Sequence, residues 1–166
     1  MNGLSEKHLR WFEDGRHIPA EVVARFEIYT ARWDAEHKQS IADLAGDWIV
    51  FPYVERGTAV AEHCRTPIGK KFIQSAGGKK TFWNADVLDD PALQTGEHPL
   101  IITEGEPDAL TAIACGFPFT VSVPDGASPV PKGKEPVTCT LLTGPPENSG
   151  QPSVGSTSGG DEHVSG

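Results

Sequence analysis

Two carboxylates four residues apart, Glu104 and Asp108, stand in the segment Leu-Ile-Ile-Thr-Glu-Gly-Glu-Pro-Asp, residues 100–108. Acidic side chains converging at the end of a strand are the groups that hold a hard divalent cation such as magnesium. A plainer reading stands beside this one. A carboxylate in the first turn of a helix is favoured by the helix dipole alone, by roughly 0.3–1 kcal/mol, so Asp108 reads equally well as structural. Glu104 lies between an apolar run and a glycine, away from any solvated face, and is harder to explain that way.

The elements that position this pair follow from the local pattern. Leu100, Ile101 and Ile102 predict a short parallel strand covered on both faces. Gly105 permits a sharp reversal, Pro107 suits a first helical position, and the apolar, alanine-rich stretch to Cys115 predicts a helix capped by Gly116. Phe119 to Val123 predicts a second parallel strand, reached by a crossover through that helix. Glu104 then lies at the carboxyl edge of an α/β sheet, where ligands bind. Asp125, in Pro124-Asp125-Gly126, turns at the same edge, and a plain Asp-Gly turn is its simpler reading.

Thr-Glu-Gly-Glu-Pro-Asp-Ala-Leu-Thr-Ala, followed by Val-Ser-Val-Pro-Asp-Gly-Ala at 121–127, resembles the first half of a Toprim domain. It is similar to the DNA primase cores of phage primase–helicases and their mitochondrial helicase relatives. The resemblance implies that Glu104 acts as a catalytic general base or metal ligand. It also implies that Glu104 and Asp108 bind Mg2+.

Upstream, Leu4 to Asp14 predicts an amphipathic helix with Leu4, His8, Trp11 and Phe12 on one side. A second helix is expected from Pro19, with Val22, Val23, Phe26 and Tyr29 as its apolar stripe, and Ala45-Gly46 closes the helical region. Core packing accounts for these aromatics. Trp48 to Tyr53, the turn Glu55-Arg56-Gly57, and Thr58 to His63 predict a β-hairpin. Then come Arg65, Lys70, Lys71, Lys79 and Lys80, interleaved with Phe72, Phe82 and Trp83 and broken by Gly69, Gly77 and Gly78. Cations among aromatics suit a surface that holds phosphates and stacks bases; lysines on a solvated strand face are the plainer alternative. A polar connector is expected over 87–96. The order of this segment resembles the N-terminal subdomain of the phage-type primase core, from about Trp48. That resemblance implies that Arg65, Lys70 and Lys71, with Lys79 and Lys80, contact the template and incoming nucleotides.

The 166 residues carry a net charge of -9, which argues against a generally basic nucleic-acid coat but leaves room for local phosphate sites. Cys64, Cys115 and Cys139 are far apart and odd in number, with no Cys-x-x-Cys, so neither a disulfide framework nor zinc is expected; His63-Cys64 is an isolated pair. Met1 to Arg10 has no apolar core of a signal peptide, and no apolar run approaches the ~20 residues of a membrane span. A soluble, cytoplasmic protein with no membrane partner is expected.

The Toprim pattern calls next for a third strand ending in Asp-x-Asp, and no Asp-x-Asp occurs in this sequence. Residues 138–166 are dominated by Gly, Ser, Thr and Pro, and a disordered or out-of-frame tail is expected there. The resulting expectation is an α/β chain in four parts. These are a helical lead-in at 1–45, a basic β-rich primase subdomain at 46–96, a partial Toprim domain (β-α-β) at 97–134 and the tail at 135–166. Its function would be that of a truncated or frameshifted DNA primase core. It would make RNA primers in DNA replication, on single-stranded DNA from ribonucleoside triphosphates, with a replicative helicase as a further partner and with catalysis impaired. Two other classes fit the residues: a non-catalytic single-stranded nucleic-acid binding module, and a Toprim nuclease-like fragment. A topoisomerase would need a tyrosine nucleophile, and Tyr29 and Tyr53 both read as core or strand residues.

Overall fold

The computed structural model describes residues 3–69 and 71–124. Helix α1 (Glu6–Arg16) begins with an acidic residue and ends with a basic one, complementing the helix dipole, and closes on His17 in the left-handed conformation (φ 55°). His8 and Phe12, four apart, share its buried face. Helix α2 (Ala20–Ala24) follows Pro19 and buries Val22 and Val23.

The expected second helix stops there. Tyr29 opens strand β1 (Tyr29–Asp34), which pairs antiparallel with β2 (Gln39–Ala42). Thr30, Ala31 and Trp33 accept an extended backbone, and the Asp34 carboxylate turns the chain by accepting the backbone N–H groups of Glu36 and His37. Lys38 completes the turn at φ 52°. The region before Gly46 is therefore half helix and half hairpin.

Strand β3 (Trp48–Glu55) pairs with both β1 and β4 (Thr58–Arg65). Arg56 and Gly57, with φ of 50° and 74°, form the two-residue hairpin turn between β3 and β4, as their sequence predicts. Strand β5 (Phe72–Gln74) completes a five-stranded antiparallel sheet in the order β2-β1-β3-β4-β5. The stretch expected to be a polar connector holds a 3-10 turn (Ala85–Asp89) and a short helix α3 (Pro91–Gln94), whose Asp90 side chain caps it by accepting from Ala92 N–H.

Strand β6 (Ile101–Thr103), helix α4 (Glu106–Ala114) and strand β7 (Thr120–Ser122) form the expected β-α-β unit, its two strands parallel. One expectation fails: β6 is not covered on both faces. Ile102 is 58% exposed, because α4 covers one face of the two-stranded sheet and no other described element covers the second. The core lies between the two sheets and the helices. Phe12, Ile18, Val23, Ile49, Phe51, Tyr53 and Trp83 meet Ala109, Leu110 and Ile113 of α4 in one buried cluster. Trp83 exchanges backbone hydrogen bonds with Ser122, tying the β-α-β unit to the segment before it. No helix among the described residues is long and apolar enough to cross a membrane.

Candidate functional site

A cleft of about 650 Å³ opens where β6 gives way to α4, with α1, β4 and β5 as its other walls. Its chemistry comes from Arg16, His63, Arg65, Glu104, Glu106 and Asp108. Period-two alternation puts Ala61, His63 and Arg65 on one face of β4, and turns Cys64 to the opposite face, fully buried. His63 and Cys64 therefore cannot share a ligand.

Gly105 caps α4 with φ -147°, an ordinary extended value, and a Cβ there would make only van der Waals contact with Asp108 Oδ2. The reversal after Glu104 does not depend on glycine's freedom. Glu104 is exposed at the cleft, and Asp108, also exposed, faces Arg16 Nη1 at 3.5 Å.

The residue at the heart of the cleft is Glu106, which is 3% exposed. Its Oε1 accepts hydrogen bonds from Tyr53 Oη at 2.7 Å and His63 Nδ1 at 2.5 Å. Burial alone would push this carboxyl's pKa up. The His63 hydrogen bond and charge, with the Tyr53 hydroxyl, outweigh that and hold it below its ordinary value. Arg65 is 8% exposed and lies between the rings of Trp11 and Phe72, 5.1 and 5.2 Å from their centroids. Its Nε is buried without a partner. Burial and Arg16 pull the Arg65 pKa down, against Glu106 and Asp108.

The structure brings Arg65, Glu104 and Asp108 to one cleft and adds Arg16, His63 and Glu106, with Tyr53 behind Glu106. One signal for His63 was present: a strand residue two positions from Arg65 must share its face. Nothing local marks Arg16, which is 92 residues from Asp108. Lys71 is exposed at a neighbouring hollow between α1 and the loop before β5. Lys79 pairs with Glu55, and Lys80 is exposed; neither lines the cleft. Lys70, Asp125 and the expected tail lie outside the described residues.

The described residues supply only part of a magnesium site. Among the described residues no three His, Cys, Asp or Glu side chains are grouped to hold a metal, Asp108 already faces a guanidinium, and Oε1 of Glu106 is committed to two donors. Three carboxylates and two arginines line one mixed-charge cleft, in which Arg65 Nε is a buried donor without a partner.

No family model matches the chain. A primase homolog protein of Arabidopsis thaliana is 39% identical over 87 residues, covering 52% of this chain and 24% of that protein. The chain thus spans about a quarter of the length of that curated relative. Among solved structures, it is similar to a DnaG primase catalytic domain bound to ssDNA, with a TM-score of 0.49 and 18% identity over 72% of this chain and 48% of that one. It is also similar to an E. coli primase catalytic core, with a TM-score of 0.49 and 19% identity over 69% and 46%.

Proposed function

We propose that this chain is part of a Toprim-type DNA primase core of the phage primase–helicase kind, a nucleotidyltransferase that makes RNA primers on single-stranded DNA. The observation that carries this reading is the cleft at the carboxyl edge of a parallel strand pair, where buried Arg65 and half-buried Arg16 share the lining with Glu104, Glu106 and Asp108. The similarity of 87 residues to a primase homolog supports it. In this reading Arg65, Lys70 and Lys71 meet template and nucleotide phosphates, and Lys79 and Lys80 add charge farther out. Glu104 faces the reacting groups. Magnesium belongs to the proposal with Glu104 and Asp108 as two of its ligands; the described residues do not complete its shell. A replicative helicase is a further partner in the same reading.

Nucleotidyl transfer needs carboxylates from several strands, so this stretch by itself is proposed to make primers slowly or not at all. The test is incorporation of labelled ribonucleotides on a single-stranded template by the purified chain. Detectable synthesis lost in both Glu104→Gln and Arg65→Ala supports the primase reading. Turnover in the ordinary enzyme range, about 1–10³ per second, would overturn the proposed impairment. Synthesis indifferent to both substitutions would overturn the site.

A second reading, a single-strand binding module, has its own observation. Phe72 is 52% and Ile68 90% exposed beside Arg65 and Lys71, an aromatic and apolar surface with cations. Single-strand affinity unchanged by Glu104→Gln, with no primers made, would favour it.

A further inference from the structure

We infer that His63 is a ligand-contacting residue of the cleft, held by Glu106 and Tyr53 so that its Nε2 meets a phosphate oxyanion. The inference deepens the primase reading and rests on it for the identity of the ligand. It starts from the bond at Nδ1. An ionised carboxylate only accepts hydrogen bonds, so the nitrogen 2.5 Å from Glu106 Oε1 carries a proton. Tyr53 donates to the same oxygen and fixes the carboxylate from the other side. The ring lines the cleft, and as an imidazolium paired with the buried Glu106 carboxylate through Nδ1 it keeps Nε2–H as a second donor for a ligand.

A second observation points to the same ligand. Arg65, two residues along the same strand face, has its Nε buried and unpartnered at the cleft. Leaving a buried donor unmade is costly, and an incoming oxyanion would satisfy it. Phe72 lies 5.8 Å from the His63 ring and 5.2 Å from the Arg65 guanidinium, so one aromatic side chain braces both donors. Glu106 and Tyr53 are then positioning residues, acting on the ligand only through the imidazole. Such carboxylate–histidine pairs fix tautomer and ring orientation at many sites.

Two substitutions separate the two nitrogens. The Asn amide in His63→Asn reproduces the Nδ1 donor to Glu106 but removes the group at Nε2. The longer Gln amide in His63→Gln reproduces a donor near Nε2. Binding of inorganic tripolyphosphate to the full chain is expected to weaken about tenfold or more in His63→Asn and much less in His63→Gln. In the ligand-bound chain, imidazole ¹⁵N spectra are expected to show His63 protonated at both Nδ1 and Nε2, with Nε2 shifting on ligand addition. Glu106→Gln, which keeps an acceptor but removes the charge facing the ring, is expected to diminish that doubly protonated signature. A shift caused by tripolyphosphate but not by a single-stranded oligodeoxynucleotide assigns the oxyanion to a nucleotide; the reverse assigns it to the template backbone. Either supports the inference. An unmoved Nε2 resonance with both probes, or equal binding by His63→Asn and the unaltered chain of whichever probe moves it, overturns it. The two readings fail separately. Any primer synthesis that His63→Asn leaves at the rate of the unaltered chain would sink the inference and spare the primase assignment. Phosphate binding through His63 in a chain that makes no primers and whose single-strand affinity is unchanged by Glu104→Gln would do the opposite.

Discussion

Glu106 and His8 are the two ionisable side chains whose burial most shapes how this molecule should respond to acid. Burying a lone carboxylate costs several kcal/mol, and two short hydrogen bonds offset that for Glu106. Its pKa in the folded chain lies below the ordinary 4.5, so its contribution to stability is complete above 4.5 and is lost as pH falls through the lower folded value. His8 works in a separate window. Burial, helped by Lys7 and opposed by Asp47, lowers its pKa from 6.5 to about 4 while its Nδ1 stays bonded to Thr30. The unfolded chain binds the extra proton between those values, so stability falls as pH drops from 6.5 toward 4, by roughly 3 kcal/mol at most. Urea midpoints measured against pH should show both limbs. His8→Asn, which keeps a donor near Nδ1, should flatten the upper limb alone, and Glu106→Gln the lower one alone. A single limb unaffected by either substitution would refute this assignment.

At the scale of elements, strand β3 organises the antiparallel sheet, with β1 on one side and β4 on the other. Gly46 shows how tightly the chain approaches it. A Cβ at that position would lie 2.0 Å from the carbonyl oxygen of Ala31, which is β1 backbone and cannot swing aside. Gly46→Ala should therefore destabilise the chain by about 1–3 kcal/mol, read as a lower denaturation midpoint with unchanged slope. A neutral result would mean that β1 shifts freely. The same strand explains a limit of reading the sequence. Val22, Val23, Phe26 and Tyr29 fit a helical stripe, yet the helix ends at Ala24 because Tyr29 to Ala31 pair with Trp48 to Val50. That pairing is a long-range contact and overrides a local pattern. The Arg56-Gly57 hairpin was legible because its signal is local: a glycine, free to take positive φ, in a two-residue turn between two extended runs.

For the whole molecule, a net charge of -9 sets a repulsive background for any nucleic acid, and phosphate contacts have to come from local cations. If the cleft and the surface around Lys71 hold a single strand, log affinity should fall linearly with log salt. Each lost phosphate contact should reduce the slope by about 0.7 for single-stranded DNA. Lys71→Ala should show a decrement of that size, and Lys79→Ala, whose lysine already pairs with Glu55 away from the cleft, a smaller one. Equal slopes for the two variants would contradict this division of the basic residues. The sequence by itself determined the β-α-β unit, the β3–β4 hairpin and the candidacy of Glu104, Asp108 and Arg65, because strand alternation, turn chemistry and helix-start signals act over a few residues. Only the tertiary structure decided that Arg16 faces Asp108 and that Tyr53 and His63 close on Glu106. Those partners are 92, 53 and 43 residues apart, and a pairing across such distances is fixed by how the sheets and helices pack, which no local pattern encodes.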